Sequence, residues 1–267
     1  MIKDITIGQY VPGDSFVHKL DSRVKILISL IYIIDLFLVN NFKGYIFITL
    51  FTLLSILISK IEFRYIYKGL KPVFVLILIT ALLNIFMTGG ETLVFKWKFL
   101  RIYKEGLVLA AFMIIRLVFL IIGTSLLTLT TSPIDLTDGI EKLLNPLKKV
   151  GVPAHELAMM MTIALRFIPT LMDETDKIMK AQISRGADFE SGNLIQRAKN
   201  LIPLLVPLFI SSFRRADELA MAMEARCYRG GEGRTRMKQL KLTSRDYIAF
   251  TVTTILVVIS IWSRMWK

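Results

Sequence analysis

The chain has 267 residues, 54% of them hydrophobic, with 34 Lys and Arg against 21 Asp and Glu for a formal net charge of +13. A mean hydropathy of +0.58 argues against a soluble protein, whose surface needs more polar area. The basic residues cluster between apolar runs, as membrane proteins distribute them, so nucleic acid is not an expected partner. One cysteine, Cys227, rules out an internal disulfide, and His18 and His155 add few ligands for a catalytic metal.

Residues 1–23 read as a loop with turn signals at Gly8, Pro12-Gly13 and Asp14-Ser15, and residues 1–20 lack the apolar core of a signal peptide. Apolar runs follow at Val24–Val39 and Tyr45–Ser59, then a connector crowded by Lys60, Arg64, Lys68 and Lys71. Pro72 opens a third run to about Met87, at a position where a missing N–H costs nothing. Each run falls a little short of the roughly 20 residues that cross a bilayer, a gap that flanking aromatics and snorkelling lysines can close. After Gly89-Gly90, residues 94–103 alternate apolar and basic, which predicts a short strand or hairpin at the membrane surface. Gly106–Leu129 is the longest run, and its Arg116 is expected to face other helices or snorkel. A last run covers Tyr247–Trp262, giving about five transmembrane helices in an all-α membrane protein.

With the N-terminus cytoplasmic, 26 Lys and Arg lie inside and seven outside, as the positive-inside rule requires for a multi-pass cell-membrane protein. The basic residues at 96–104 break that rule locally. The expected divisions are residues 1–131 with four spans, a cytoplasmic coupling domain over 132–243, and a C-terminal span over 244–267.

Within the coupling domain Ser132 and Pro133 cap a short helix to about Leu144, interrupted by Asn145-Pro146. Gly151-Val152-Pro153 opens a long amphipathic helix with an inward seam of Leu157, Met161, Ala164, Ile168, Leu171, Thr175, Ile178 and Gln182, bent at Pro169 and capped by Gly186. A second long helix starts after Gly192-Asn193, must kink or divide at Pro203 and Pro207, and carries Ser212, Ala216 and Ala220 as a small-residue stripe. The two helices are expected to cross near that stripe as a platform. The segment Arg229–Lys241, with five basic residues and one acidic, suits a loop near anionic headgroups. Residues Asp176–Gly186 overlay Asp217–Cys227 at a constant offset of 41, so both helices end on an arginine followed by a small residue. An arginine there can simply favour the helix dipole, or its guanidinium can fork onto a partner's carboxylate or carbonyls. Duplication of the ending favours the second reading, because two matched ends imply two matched docking sites.

The blocks Leu127–Pro133, Ala164–Pro169 and Arg215–Arg226, with Leu20–Lys25 near the start, resemble the T component of energy-coupling factor transporters, the EcfT or CbiQ-type transmembrane subunit of vitamin and metal-ion importers. The resemblance runs through almost the whole chain. It implies two ABC-type ATPase subunits docked on Ser184-Arg185-Gly186 and Ala225-Arg226-Cys227, with cysteine where the family often has glycine. It also implies one or more substrate-binding S components against the platform, here Met161, Ala164, Ile168, Leu171, Met172, Ser212, Ala216 and Ala220. Methionines on both helices either fill gaps or adapt the surface to several partners. No Walker-type Gly-x-x-x-x-Gly-Lys, His-Glu-x-x-His or Cys-x-x-Cys occurs, so ATP and magnesium belong to the partner ATPases, with no cofactor and no enzymatic activity in this chain. The competing reading, a stand-alone secondary carrier, would rest on Asp35, Asn84 and Arg116 within the spans.

Overall fold

The computed structural model describes residues 10–97, 100–189, 191–231 and 239–265. In chain order the helices are α1 (Ser22–Leu38), α2 (Phe42–Ser59), α3 (Phe63–Leu70) and α4 (Phe74–Met87), then α5 (Lys104–Thr130) and α6 (Pro133–Leu144), then α7 (Ala154–Ser184), α8 (Leu194–Asn200), α9 (Ile202–Ala225) and α10 (Ser244–Met265). The strands β1 (Leu93–Trp97) and β2 (Leu100–Tyr103) pair antiparallel between α4 and α5, with a bulge between Leu93 and Phe95. That is the hairpin the alternation predicts. The chain divides into two compact units, one of Gly8–Ile140 with Gln239–Lys267 and one built on Glu141–Lys238.

In the first unit, α2, the continuous helical segment Phe63–Met87, α5 and α10 are long and apolar enough to cross a membrane. The fifth expected span, α1, has 17 residues and rises about 25 Å. The segment expected as a basic connector is helical, because α3 runs through a 3-10 turn at Lys71–Val73 into α4. Arg64, Lys68 and Lys71 recur at helical spacing, a signal that could have shown this. The core gathers on α1 and α2 as Tyr32, Leu36, Val39, Tyr45 and Ile48, with Leu256 of α10. Phe74, Leu78, Leu82 and Phe86 of α4 remain exposed, as lipid-facing side chains must. The chain is an all-α membrane protein.

Polar groups inside this unit tie particular helices together. Asp35 of α1 is fully buried and accepts a 2.9 Å hydrogen bond from Ser260 of α10. Arg116 of α5 turns to the α1–α2 corner, where its guanidinium donates to the Tyr45 hydroxyl, the Val39 carbonyl and the Asn40 amide oxygen, each at 3.3 Å, and lies over the Phe37 ring. At the opposite end of α1, Asp21 is the N-cap, accepting from the Arg23 N–H and from both Nε and a terminal nitrogen of Arg23. Burial alone would raise the Asp21 carboxyl, but these bonds and the Arg23 charge hold it below its usual range. The Asp21 N–H donates in turn to Asp246 of α10 at 2.8 Å, and Asp246 also accepts from the Thr243 N–H and hydroxyl. Asp246→Ala therefore strips three donors, the buried Asp21 N–H and two on the exposed Thr243. We expect a loss of about 1–2 kcal/mol, chiefly from orphaning the buried N–H, read as a lower melting temperature in detergent.

In the second unit, a 3-10 turn at Asn145–Val150 and Gly151 in the left-handed region (φ +91°) reverse the chain into α7. At 31 residues α7 is about 46 Å long. Helices α8 and α9 are separated at Leu201, and Pro203 falls in the first turn of α9, so Pro203 divides the helix while Pro207 lies within it. Pro207 has no N–H to offer the Pro203 carbonyl one turn back. That carbonyl instead accepts from the Gln182 side chain of α7 at 3.3 Å. Further along, Glu174 accepts from Ser211 and, at 2.9 Å, from Arg215. Beyond that, Ile163 and Phe167 share a groove with Leu219 and Met223. As α7 numbers fall, α9 numbers rise, so the two long helices pack antiparallel.

The inward seam needs correction in its first half. Leu157, Met161, Ala164 and Ile168 are exposed, and Ile163, Phe167 and Leu171 face the groove instead. Residues 157–168 are apolar on nearly every face, so periodicity had no contrast from which to choose. From Leu171 onward polar residues supply that contrast, and Leu171, Thr175, Ile178 and Gln182 are half-buried as expected.

Candidate functional site: two arginine-tipped helix ends

The repeated ending folds into the same turn twice. At the end of α7, the Gly186 N–H donates to the Ile183 carbonyl at 2.9 Å and the Ala187 N–H to the Gln182 carbonyl at 3.0 Å. At the end of α9, the Cys227 N–H donates to the Glu224 carbonyl at 2.8 Å and the Tyr228 N–H to the Met223 carbonyl at 3.0 Å. Both are Schellman motifs, in which a left-handed residue lets the chain fold back over the last carbonyls. The arginines occupy equivalent caps, Arg185 at φ −90°, ψ 5° and Arg226 at φ −94°, ψ 14°. The backbone thus satisfies carbonyls that a basic side chain would otherwise cap. Ser184, Arg185, Gly186, Ala225, Arg226 and Cys227 are all exposed. Among the described residues neither guanidinium has an ion pair.

Gly186 takes φ +88° without steric cost, whereas Cys227 holds φ +54°. An L residue in that region costs roughly 1–2 kcal/mol. We expect Cys227→Gly to tighten the turn by roughly 1 kcal/mol, seen as slower exchange of the Tyr228 amide, and Gly186→Ala to loosen its counterpart at Ala187. Equal exchange in all variants would show that these turns are set elsewhere.

Because α7 and α9 are antiparallel, the two ends lie at opposite ends of the pair. Met223 shares a groove with Ile163, while Arg185 caps α7 about 20 residues further along, which places the tips about 30 Å apart. The Arg226 end is clasped to the start of α7: His155 Nδ1 lies 3.1 Å from Glu141 Oε1, and its Nε2 lies 3.3 Å from the Tyr228 hydroxyl. Gly231 passes this ring so closely that a Cβ would come within 2.5 Å of it. A lone histidine in the sequence carries no signal of such a clasp. At the Arg185 end, Asn200 donates to the Asp188 carbonyl at 2.7 Å, closing the connection into α9.

Of the expected platform residues, Leu171, Ser212, Ala216 and Ala220 line the groove of about 320 Å³ between the long helices. Met161, Ala164 and Ile168 are exposed outside that set, and Met172 is half-buried. Met160 and Met221 are exposed, whereas Met159, Met179 and Met223 are half-buried. Sequence reasoning passed over a larger apolar face at the start of α9, where Leu205, Phe209, Ile210 and Phe213 are all exposed and the two phenylalanine rings pack edge to face. The signal was present as the apolar run Leu204–Ile210, broken only by Pro207. The segment 232–238, most of the expected headgroup-binding loop, lies outside the described residues.

The sequence profile of the family described as CbiQ, cobalt transport protein, matches residues 13–237. The energy-coupling factor transporter transmembrane protein EcfT of Clostridium kluyveri is 80% identical over 267 residues, covering 100% of this chain and 99% of that protein. The EcfT proteins of Thermosediminibacter oceani and Bacillus subtilis are 60% and 51% identical, covering 98% and 92% of this chain and 99% and 93% of their own lengths. With matches that span both the membrane unit and the arginine-tipped pair, the chain belongs to the EcfT/CbiQ family of energy-coupling factor transporter transmembrane proteins.

Proposed function

We propose that this chain is the transmembrane scaffold of an energy-coupling factor importer. It transmits ATP-driven movement of two ABC-type ATPase subunits to a substrate-binding S component, for uptake of vitamins or other micronutrients. The observation that carries this reading is the pair of like-built arginine turns at opposite ends of one antiparallel lever. Each guanidinium presents a planar fork of donors suited to a carboxylate or a set of carbonyls in an ATPase groove. Two ATPases that close on ATP would draw the two ends together or apart, and a packed helix pair would pass that motion on. ATP and magnesium would be bound by those partners and not by this chain. The exposed faces of Leu205, Phe209, Ile210 and Phe213, and of Met161 and Ile168, are apolar surface of the kind that partner proteins cover, and we assign them to the S component. The arginine-tipped unit and the N-terminus are placed in the cytoplasm on charge distribution. The test is affinity purification of the full chain from its host membrane in mild detergent. Two ABC-type ATPases and at least one small membrane partner should co-purify, and ATP-dependent uptake should reconstitute only with all of them. Solute transport by the chain alone would overturn the reading.

A further inference from the structure

The membrane unit contains a half-open cleft of about 540 Å³, a size that accommodates a small ligand. Its wall is built from Ile28 and Tyr32 of α1, Leu54 and Ile58 of α2, Leu126 of α5 and Val252 of α10. The polar side chains in the wall are turned to the protein itself. Ser29, Thr52, Thr130 and Thr253 each donate to a carbonyl of their own helix, at 2.7 to 2.9 Å. The Tyr32 hydroxyl meets Thr52 at 2.8 Å, and Lys25 Nζ donates to the His18 and Thr130 carbonyls. Ser55 is the remaining hydroxyl. The cleft therefore offers its occupant hydrocarbon and almost nothing else, which suits a ligand whose inserted part has no polar group.

Its position identifies the source. The lining comes from the first half of α1, the second half of α2, the last turns of α5 and the first half of α10, which all lie at one end of the helix bundle. Asn41, the N-cap of α2, bonds the Ser263 carbonyl, and Gly44 lies against the Ser263 side chain, so α2 and α10 run antiparallel. The same register brings the C-cap of α2, Lys60, level with Arg245 in the first turn of α10. Both are exposed, with Arg64, Lys68, Lys71 and Lys241 exposed nearby in sequence against the exposed acids Glu62 and Asp14. We propose that this cleft holds one acyl chain of an anionic phospholipid, with the phosphate received by Lys60 and Arg245. The apolar wall takes the chain and the two cations select the headgroup.

The full chain is reconstituted in phosphatidylcholine vesicles containing a minor share of phosphatidylglycerol that carries a diazirine on one acyl chain, then irradiated and digested. Label should concentrate on peptides of residues 25–32, 51–58 and 248–253. Ala249→Trp, which fills the cleft, should lower that label roughly tenfold and leave label on the exposed α4 face unchanged. Lys60→Gln together with Arg245→Gln changes two exposed side chains, and should reduce labelling roughly tenfold to that of a phosphatidylcholine probe while label on the α4 face stays unchanged. Even labelling of cleft and α4 face, cleft label that survives Ala249→Trp, or equal labelling by the two headgroups would overturn the assignment. So would loss of wild-type label on adding the S component, which would make the cleft a protein interface.

Discussion

Arg185→Glu combined with Arg226→Glu should abolish ATP-driven uptake and release both ATPases, while the chain keeps its fold. Both side chains are exposed, and the turns beneath them are closed by backbone hydrogen bonds, so folding should change by no more than about 0.5 kcal/mol. Docking should suffer far more. Removing one partner of a hydrogen-bonded charge pair costs about 2–5 kcal/mol, and reversal adds repulsion. Each end then loses on the order of 30-fold or more in affinity. The tips are about 30 Å apart, so each single variant should weaken one ATPase site and leave the other occupied. Arg→Lys at either position keeps the charge and loses the planar fork, and should fall between wild type and reversal. The readouts are ATPase co-purification, uptake in vesicles and thermal unfolding of the purified chain. A doubly reversed chain that retains both ATPases and transports normally would refute the docking assignment.

What the sequence made legible follows the contrast it offered. The two endings align on residue pattern alone, because Gly186 marks a helix stop and the offset to Cys227 is constant. That cysteine carries no stop signal by itself, and only the duplication points to its left-handed backbone. The small stripe Ser212, Ala216 and Ala220 was readable on α9 and lines the groove between the long helices, but Ala216 and Ala220 stay exposed there. Its partner face on α7 was not readable, because residues 157–168 are apolar all round and half of that surface is left uncovered within the chain. Antiparallel pairing depends on single contacts between distant residues, such as Gln182 filling the carbonyl freed by Pro207, and a periodicity cannot choose among such donors. The membrane helices were read closely except at residues 63–71, where basic side chains at helical spacing look like a connector when counted and like a helix when placed on a wheel. Arg116 was visible as an anomaly, but its partners at the α1–α2 corner lie some 70 residues away in the chain, beyond the reach of any local pattern.

Glu174→Leu should give a transporter that assembles and hydrolyses ATP but imports little. Between the two ends, the long helices are joined by this carboxylate, which accepts from Ser211 and from Arg215 at 2.9 Å. The Ser211 hydrogen bond holds the Glu174 carboxyl below its usual range, against the pull of burial and with help from Arg215. Arg215 depends on the pair, since its Nε is already buried without an acceptor. Leucine would remove the acceptor and leave the guanidinium unanswered, at about 1–2 kcal/mol after allowing for partial exposure. That loss falls at the middle of the lever, away from both arginine tips, so ATPase docking should persist while uptake per ATP drops roughly tenfold. Glu174→Gln keeps an acceptor without the charge and should be milder. Because the folded carboxyl titrates low, its contribution is present above the unfolded value of about 4.3 and disappears only as pH falls through the lower folded one. Coupling through this pair should therefore stay constant between about pH 6 and 8, a range far above that titration. Uptake and hydrolysis measured on the same vesicles decide the matter. A proportional fall in both would mean that Glu174 serves assembly, and unchanged uptake would mean that the force takes another route through the chain.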